Sequence, residues 1–341
     1  MPAADDVAIR LLDPHEGDLV VDAIRAIYGD SYDVSWCYDA DEIRRRLAHG
    51  QMVSGAAFGP DAGLLCHAAL TRHDHDDHVV HSGQAVSLPA ARGQHLFTRV
   101  KQHLAEWAAA RGVLGIYSEA TAAHPYSQKA NLDLGATETG VLLAWIPATV
   151  DNDASVLAQP TRASVVLFYL QTNRAPAHPV YAPPAHREIV RTIIERSGLR
   201  GGLATAPRRL RIPPHTRTHT VVDETHNTAI IHVHEAGADL AEVVTADRDR
   251  LFGRGVDVVY CDLRLDQPAT GVAVDAVREA GFRFAGVFPS PHHPGENLRT
   301  QVLRPGLVVS PDDVSVASPH GRALLDYVLA DDAAPTRAGE S

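Results

Sequence analysis

Apolar positions along the chain follow two periods that alternate with each other. Short runs rich in apolar and β-branched side chains predict strands, and longer stretches with apolar residues three and four positions apart predict helices. In the first 150 residues the predicted strands are 7–12, 52–58, 64–71, 84–88, 113–119 and 142–147. The predicted helices there are 17–27, 42–49 and 94–111. This alternation predicts an α/β (α+β) domain over residues 1–150.

The second half repeats part of this order after a proline-rich connector. A predicted strand at 162–170 and a helix at 186–198 flank the connector prolines, and both belong to a segment at 151–215. Predicted strands follow at 218–223, 229–233, 256–263, 282–287 and 297–303, with helices at 240–254 and 270–280. We therefore expect a second domain at 216–330, built as a partial copy of the first. The polar residues 331–341 are expected to form a disordered tail.

The stretch 85–104 carries the most distinctive pattern. It predicts the end of a strand, a turn at Pro89, an Arg92-Gly93 step, and a long amphipathic helix. The first backbone N–H groups of such a helix have no acceptor inside the helix, and they lie at the positive end of its dipole. The stretch is therefore suited to binding a phosphate or a pyrophosphate.

Two motifs resemble the GNAT acyltransferases. Val86, Pro89, Arg92, Gly93 and Leu96 match the strand, loop and helix start with which that family binds its acyl donor. The string HPYSQK at 124–129, followed by Leu-Gly at 134–135 and Thr-Gly at 139–140, resembles a two-domain bacterial subgroup. The resemblance implies tandem GNAT folds, with mixed, mostly antiparallel sheets flanked by helices and a degenerate C-terminal copy.

The resemblance also implies a donor site. Its residues are Val86, Ser87, Leu88, Arg92, Gly93, Gln94, His95 and Leu96. Two positions depart from the family pattern, since His95 and Phe97 stand where glycine lets the backbone approach a pyrophosphate. The resemblance implies that no cofactor is permanently bound and that the co-substrate is an acyl-CoA or a phosphopantetheine-linked acyl donor on a carrier protein. An aminoacyl-tRNA is the further alternative.

Candidate catalytic residues follow the fifth strand of this layout. Glu119 is expected to act as the base or to relay the proton through water, and His124 is the second candidate because imidazole titrates near neutral pH. The family's usual tyrosine proton donor is replaced by Asn131, which cannot donate a proton as a phenol does. Ser127 is a candidate proton donor to the leaving thiolate.

A loop between the first two helices is rich in aromatic residues. Tyr28, Tyr32, Trp36 and Tyr38 fall within fifteen polar and small residues. Such a cluster forms either a small core plug or a pocket for the acceptor substrate, and the sequence leaves both open.

Charge and composition narrow the class of partner. The net charge of −11 opposes binding to DNA or to an anionic membrane surface, and no apolar run is long enough to span a bilayer. The arginines 200, 208, 209, 211 and 217 nevertheless form a cluster that suits a phosphate-bearing partner.

Cysteine and histidine usage gives the remaining expectations. Cys37, Cys66 and Cys261 lie far apart, which suits a reducing cytosol and indicates neither a disulfide framework nor a zinc site. The run RHDHDDHVVH at 72–81 is expected to be a solvated hairpin tip, so no metal site is predicted.

The sequence thus predicts a cytoplasmic N-acyltransferase. It would form an amide between an activated acyl donor and a small-molecule amine, in specialised metabolism. Two alternatives remain open at this stage: an aminoacyl-tRNA-dependent transferase that forms an amide, and a non-catalytic protein that senses acyl-CoA.

Overall fold

One sheet organises the chain. The computed structural model describes residues 7–72, 74, 77–149, 161–199, 201–290 and 295–333. The strands of the first half are β1 (Ala8–Leu11), β2 (Met52–Phe58), β3 (Leu64–Thr71), β4 (Val79–Ser87), β5 (Gly115–Thr121), β6 (Thr137–Ile146) and β7 (Ala163–Gln171). Those that follow are β8 (His178–Val180), β9 (Gly201–Leu203), β10 (Arg217–Asp223), β11 (Thr228–Glu235), β12 (Val258–Arg264), β13 (Arg283–Pro289) and β14 (Glu296–Leu303).

Helices connect these strands. They are α1 (Gly17–Tyr28), α2 (Ala40–Ala48), α3 (Leu96–Ala110), α4 (Tyr126–Asp133), α5 (Arg187–Ser197), α6 (Leu240–Gly253), α7 (Thr270–Glu279) and α8 (Pro319–Asp332). Asp39 caps α2 by accepting the backbone N–H groups of Asp41 and Glu42. Leu96, Val100 and Leu104 form the buried stripe of α3, each at most 1% exposed. Burial of each contributes about 1.5–3 kcal/mol to folding.

Twelve of the described strands form a single mixed sheet in the order β1-β2-β3-β4-β5-β7-β6-β13-β14-β12-β11-β10. Two pairings are parallel, β4 with β5 and β11 with β12, and the others are antiparallel. The expected fold class, a mixed and mostly antiparallel sheet flanked by helices, is therefore confirmed.

The second half repeats the strand order of the first. β10-β11-β12-β14-β13 has the same sequence of directions as β3-β4-β5-β7-β6, with one parallel pair in each half. The parallel pairs differ in length. β11 pairs with β12 over six residues, Thr228–Val233, whereas β4 pairs with β5 over three, Val79–His81. In the first pair, β4 continues to Ser87 and β5 to Thr121, well beyond the last paired residues, His81 and Tyr117.

The two halves join edge to edge through β6 and β13. Their backbones approach most closely where Gly140 faces Gly286. A Cβ on Gly140 would lie 2.5 Å from the carbonyl oxygen of Ala285 and 2.6 Å from Cα of Gly286. The buried amide of Gln301 accepts the N–H of Leu143 at 2.9 Å, and so a side chain continues the ladder where strand pairing is short.

The sheet has two differently covered faces. Helices α5, α6, α7 and α8 pack with the sheet into one apolar cluster, and α3 covers the same face over β2 and β3. Helices α1 and α2 cover only the first strands on the other face. The rest of that second face forms the floor of a large cavity, described below.

Three sequence expectations differ from the structure. β7 lies between β5 and β6, so the boundary expected at residue 150 cuts through the sheet of the first half. β4 begins at Val79, five residues before the predicted strand. Asp331, the first residue of the tail expected to be disordered, lies in α8. Its carboxylate accepts the backbone N–H of Phe284 and pairs with Arg278. The residues 334–341 lie outside the described part.

The glycine contact at the β6–β13 junction should be sensitive to a single methyl group. We expect Gly140→Ala to lower the free energy of unfolding by about 1–3 kcal/mol, because the new Cβ overlaps the backbone of β13. Gly253→Ala is the matched control, since a Cβ there meets no atom within 4 Å. Thermal denaturation of both variants checks this, and equal melting temperatures would contradict the close packing of the junction.

Candidate active site

The parting of β4 from β5 creates the opening around which the site is built. The strands pair only from Val79–His81 to Gly115–Tyr117, while β4 continues to Ser87 and β5 to Thr121. A bulge in β4 accompanies the parting, since the register against β3 shifts between His67 and Ala69. Gln84 adopts a φ of +47° within this bulge. The backbone of β4 thus turns away from β5 where the gap opens.

His81 and Glu119 lie together beside this gap. Nε2 of His81 is 2.7 Å from Oε2 of Glu119, and Nδ1 of His81 is 3.4 Å from the hydroxyl of Thr71. Burial opposes the charge on Glu119, but His81 and the guanidinium of Arg299 outweigh it and lower the pKa of the carboxyl. The ionised carboxylate therefore orients the imidazole through this 2.7 Å contact.

Gly83 lets the His81 ring pack closely against the backbone of β4. A Cβ at residue 83 would lie 2.7 Å from Cε1 and 3.3 Å from Nδ1 of His81. Since Nε2–H donates to Glu119, Nδ1 is the nitrogen left to accept a proton. A side chain at residue 83 would therefore displace the ring from its contact with Glu119.

Both halves of the chain line the cavity that these residues face. It has a volume of about 890 Å³ and includes His81, Gln84, Tyr117 and Glu119 of the first half. Its second-half wall includes His232, Asp262, Phe288 and Arg299. This volume falls within the usual range of about 300–1,000 Å³ for small-molecule sites.

A buried ion pair fixes the second-half wall. Arg299 donates two hydrogen bonds of 2.8 Å to the two carboxylate oxygens of Asp262, and both side chains are at most 3% exposed. The His232 ring lies 3.5 Å from the same carboxylate, and the guanidinium of Arg299 lies 4.1 Å from the ring centroid of Phe288. The pair is satisfied internally, so it shapes the cavity rather than offering an open charge.

Gln84 presents a polar atom that the protein itself does not satisfy. The residue is 4% exposed, and its Oε1 has no hydrogen-bond partner among the described residues. Its backbone carbonyl accepts a hydrogen bond of 2.8 Å from Nδ1–H of the buried His67, which holds the bulge in place. Burial lowers the pKa of His67 to about 4, so this contact is made by a neutral ring.

The aromatic loop forms part of the cavity wall. Tyr32 and Trp36 line the cavity, whereas Tyr28 and Tyr38 support them. The rings of Tyr28 and Tyr32 are 4.7 Å apart, and the Tyr38 hydroxyl accepts the N–H of Tyr32 at 2.8 Å. The loop is therefore both a partly buried plug and a pocket wall, with the two roles divided among its residues.

One histidine ties this loop to the second half. His226 in the β10–β11 turn lies 2.6 Å from Asp223 and 2.8 Å from Asp33 of the aromatic loop. Burial opposes charging the ring, but hydrogen bonds to the two carboxylates outweigh it and raise the pKa of His226 to about 9. A positive charge between two negative ones thus closes one side of the cavity.

The residues expected to bind the donor fall into two groups. Val86, Ser87 and Leu88 follow the bulge in β4, but the Leu88 N–H donates to Leu65 and is not available to a ligand. Arg92, Gly93, Gln94 and His95 form the turn before α3, and Leu96 begins the helix. His95 adopts a left-handed φ of +55°, which costs a non-glycine residue about 1–2 kcal/mol.

Two of the three predicted catalytic residues lie away from the cavity. Glu119 lines it, whereas His124 and Ser127 do not. His124 packs on Tyr126, and the carbonyl of His124 lies 3.5 Å from the Gln128 amide, which also binds Ser315 and Ala317. The Ser127 hydroxyl is buried with no partner in the described ranges. The histidine that lies beside Glu119 in the cavity is therefore His81 and not His124.

In the described residues, the histidine-rich run at 72–81 forms no metal site and the arginines between 200 and 217 form no buried pocket. His73, His75, Asp76 and Arg200 lie outside the described residues. Across the part that the structure describes, no group of three or more His, Cys, Asp or Glu side chains is arranged to hold a metal ion. Arg208, Arg209, Arg211 and Arg217 are exposed. In the same part, no helix has the length and apolar character needed to cross a membrane.

Comparison with known proteins gives likeness to solved structures alone. No protein-family model matches the chain, and no curated protein matches it. A phosphinothricin acetyltransferase of the GNAT superfamily from Sinorhizobium meliloti, in complex with acetyl-CoA, is 13% identical with a TM-score of 0.39. The match covers 49% of this chain and 88% of that one.

Two further structures match to the same degree. An N-acetyltransferase from Staphylococcus aureus is 13% identical over 49% of this chain and 99% of that one, with a TM-score of 0.39. A spermidine/spermine N-acetyltransferase from Vibrio cholerae is 10% identical over 50% and 94%, also at 0.39. Each of these likenesses covers about half of this chain at low sequence identity.

The charged contact at His226 should make stability depend on alkaline pH. Because the folded-state pKa is raised, its contribution is fully present below the unfolded value of about 6.5 and is lost as the pH rises through about 9. The contribution is at most about 3 kcal/mol, at about 1.4 kcal/mol per pKa unit. We expect the melting-temperature difference between the wild type and His226→Gln to shrink between pH 6.5 and 10. A constant difference would show that the ring is not charged in the folded state.

Proposed function

We propose that the chain is an N-acyltransferase that moves an acyl group from a phosphopantetheine-type thioester to an amine bound in the central cavity. The observation that carries the proposal is that β4 and β5 part directly beside a paired imidazole and carboxylate. A gap between two strands admits an extended tether, and the His81–Glu119 pair lies where the tether would present its carbonyl carbon to the cavity.

Three features of the cavity support amide formation there. The amine must be neutral when it attacks, and Nδ1 of His81 is placed to take its proton while Glu119 stabilises the imidazolium that forms. The amine must also be oriented, and Oε1 of Gln84 offers a buried acceptor for one of its N–H bonds. Tyr32, Trp36 and Phe288 supply apolar surface that encloses the rest of the acceptor.

The donor would enter from the α3 side of the sheet. Backbone N–H groups at Leu96, Phe97 and Thr98 have no acceptor within α3, as in the first turn of any helix, and the helix dipole favours an anion there. One phosphate of the donor tether would lie at this end. The acceptor and donor thus approach the gap from opposite faces of the sheet, which keeps the attacking nitrogen apart from the leaving sulfur.

The function is tested by thiol release. We expect acetyl-CoA and one member of a panel of aromatic and aliphatic amines to release free thiol together with the N-acyl product. Parallel reactions with an acyl carrier protein and an aminoacyl-tRNA identify the donor class. Tight acyl-CoA binding without turnover on any donor would favour a non-catalytic sensing protein and overturn the proposal.

The cavity pair is tested by two substitutions. His81→Asn and Glu119→Gln should each lower kcat by roughly 10²–10⁴, because each removes part of the general base. The exposed residues His49 and Glu106 supply the matched controls, His49→Asn and Glu106→Gln, which should leave the rate unchanged. Wild-type rates in both cavity variants would show that this pair is not the base.

The strained turn before α3 tests the donor's diphosphate. We expect His95→Gly to tighten acyl-CoA binding roughly tenfold, about 1.4 kcal/mol, because glycine removes the side chain that would crowd a diphosphate at this left-handed position. Affinity for a pantetheine thioester, which lacks the diphosphate, should not change. Calorimetric titration measures both. An equal gain for both ligands would mean that the turn does not contact the diphosphate.

A further inference from the structure

Lysine use in this chain is unusual and points to one residue. The sequence contains two lysines, Lys101 and Lys129, among 31 lysines and arginines. Lys129 is exposed on α4, whereas Lys101 is buried on α3 at 9% exposure. A chain that otherwise uses arginine has therefore placed a lysine in its interior. Arginine stays protonated in proteins, whereas a buried lysine can lose and regain its proton.

Lys101 lies at the vertex of the β4–β5 gap. Its side chain, with Asn131 of α4, lines a small cavity of about 10 Å³, close to room for one water. Ser82 and Ser118 line the same cavity, and each directly follows the last paired residues, His81 and Tyr117. Since successive side chains of a strand point to opposite faces, this cavity lies across the sheet from His81 and Glu119.

The surroundings of Lys101 leave its ammonium group uncompensated by any carboxylate. Its Nζ donates to Oδ1 of Asn131, and Phe97 of α3 lies 5.6 Å from the nitrogen. The other described residues around the cavity are uncharged: Leu70, Leu104, Ile116, Leu134, Ala136, Phe168 and Leu170. Burial lowers the pKa of Lys101 to about 8. A methionine would fill this position without the cost of desolvating a charge, so packing alone does not account for the lysine.

We propose that Lys101 is the acid that protonates the leaving sulfur of the acyl donor, and that Asn131 is its positioning residue. The assignment rests on the proposed function, because it requires a thioester in the gap. The amide of Asn131 has no ionisable proton and cannot itself protonate the sulfur, whereas the Lys101 ammonium to which it is hydrogen-bonded can. The base, His81, and the acid, Lys101, then lie on opposite faces of the sheet beside the β4–β5 gap.

Protons and electrons balance in the transfer of the acyl group from sulfur to nitrogen. The amine nitrogen attacks the carbonyl carbon, the C–N bond forms, and His81 takes the proton from nitrogen. The tetrahedral intermediate collapses, the C–S bond breaks with its electron pair on sulfur, and the Lys101 ammonium gives that sulfur a proton. The products are an amide and a free thiol. His81 then loses a proton to solvent and Lys101 regains one from solvent.

A titration of the wild-type protein tests the assignment without turnover. With two lysines in the chain, labelling the lysine side chains with ¹⁵N and ¹³C gives two sets of NMR signals, which Lys129→Arg assigns. We expect Lys101 to titrate near pH 8, well below the ordinary lysine value of about 10.4. Adding CoA should move the Lys101 signal, and adding desulfo-CoA, which lacks the sulfur, should not. Ordinary titration of Lys101, or equal responses to both ligands, would overturn the assignment.

Leaving-group dependence tests the acid in catalysis. Lys101→Met should lower kcat by roughly 10²–10⁴ with an alkyl thioester. It should lower kcat far less with an aryl thioester, whose more acidic thiol leaves without protonation. Lys129→Met is the control. An equal loss with both donors would mark a purely structural role.

The pH profile completes the test. Asn131→Asp should raise the pKa of Lys101 and move the alkaline fall in kcat to higher pH, since a carboxylate favours the charged amine. An unmoved alkaline limb would overturn the assignment of Lys101 as the acid. Absence of wild-type thiol release with every donor would instead count against the proposed function, whatever the lysine titration shows.

Discussion

The short pairing between β4 and β5 is the constraint on which the account depends. Three residue pairs hold the strands together, and the bulge at Gln84 then directs β4 away. An unpaired strand edge inside a protein is unfavourable unless something satisfies its backbone. The neutral, buried His67 stabilises the bulge from the cavity side, and α3 and α4 cover the gap from the other. The opening is therefore maintained by surrounding structure and is suited to an extended ligand.

The second half shows what the same topology does without an opening. β11 and β12 remain paired over six residues. Asp262 in β12 corresponds in position to Glu119 in β5, but its carboxylate is already bound by Arg299. The second half has the same strand order as the first, and its β12, β13 and β14 contribute one wall of the cavity. Its sheet continues from β6 through the Gly140–Gly286 contact, and its wall lines the same cavity as His81 and Glu119. The cavity thus needs both halves.

The sequence predicted local structure well and spatial neighbours poorly. Strand and helix periods located β2, β3, α1 and α3 within a few residues, because their apolar patterns are regular. β7 was assigned to a connector because its insertion between β5 and β6 is a long-range pairing with no local signal. α8 was not predicted, and its last two residues were assigned to the tail that begins at Asp331. Ser318 caps the start of this helix, which packs on the β6–β13 junction.

Site residues follow the same division. Glu119 was identified from its place at a strand end, but His81 was assigned to a solvated hairpin tip because the register that brings it beside Glu119 cannot be read from one sequence. Lys101 carried a signal that was available, namely a lysine on the apolar side of a helix in a chain with two lysines. Its meaning appears only when the structure places Asn131, Ser82 and Ser118 around it.

A crystal structure with a bisubstrate analogue, an amine joined to CoA through a stable acyl linker, tests the central claim most directly. The account predicts that the linker passes between β4 and β5, with its nitrogen within about 3.2 Å of Nδ1 of His81 and its sulfur beside Lys101. An analogue bound elsewhere, with the gap between these strands filled by protein side chains, would contradict it.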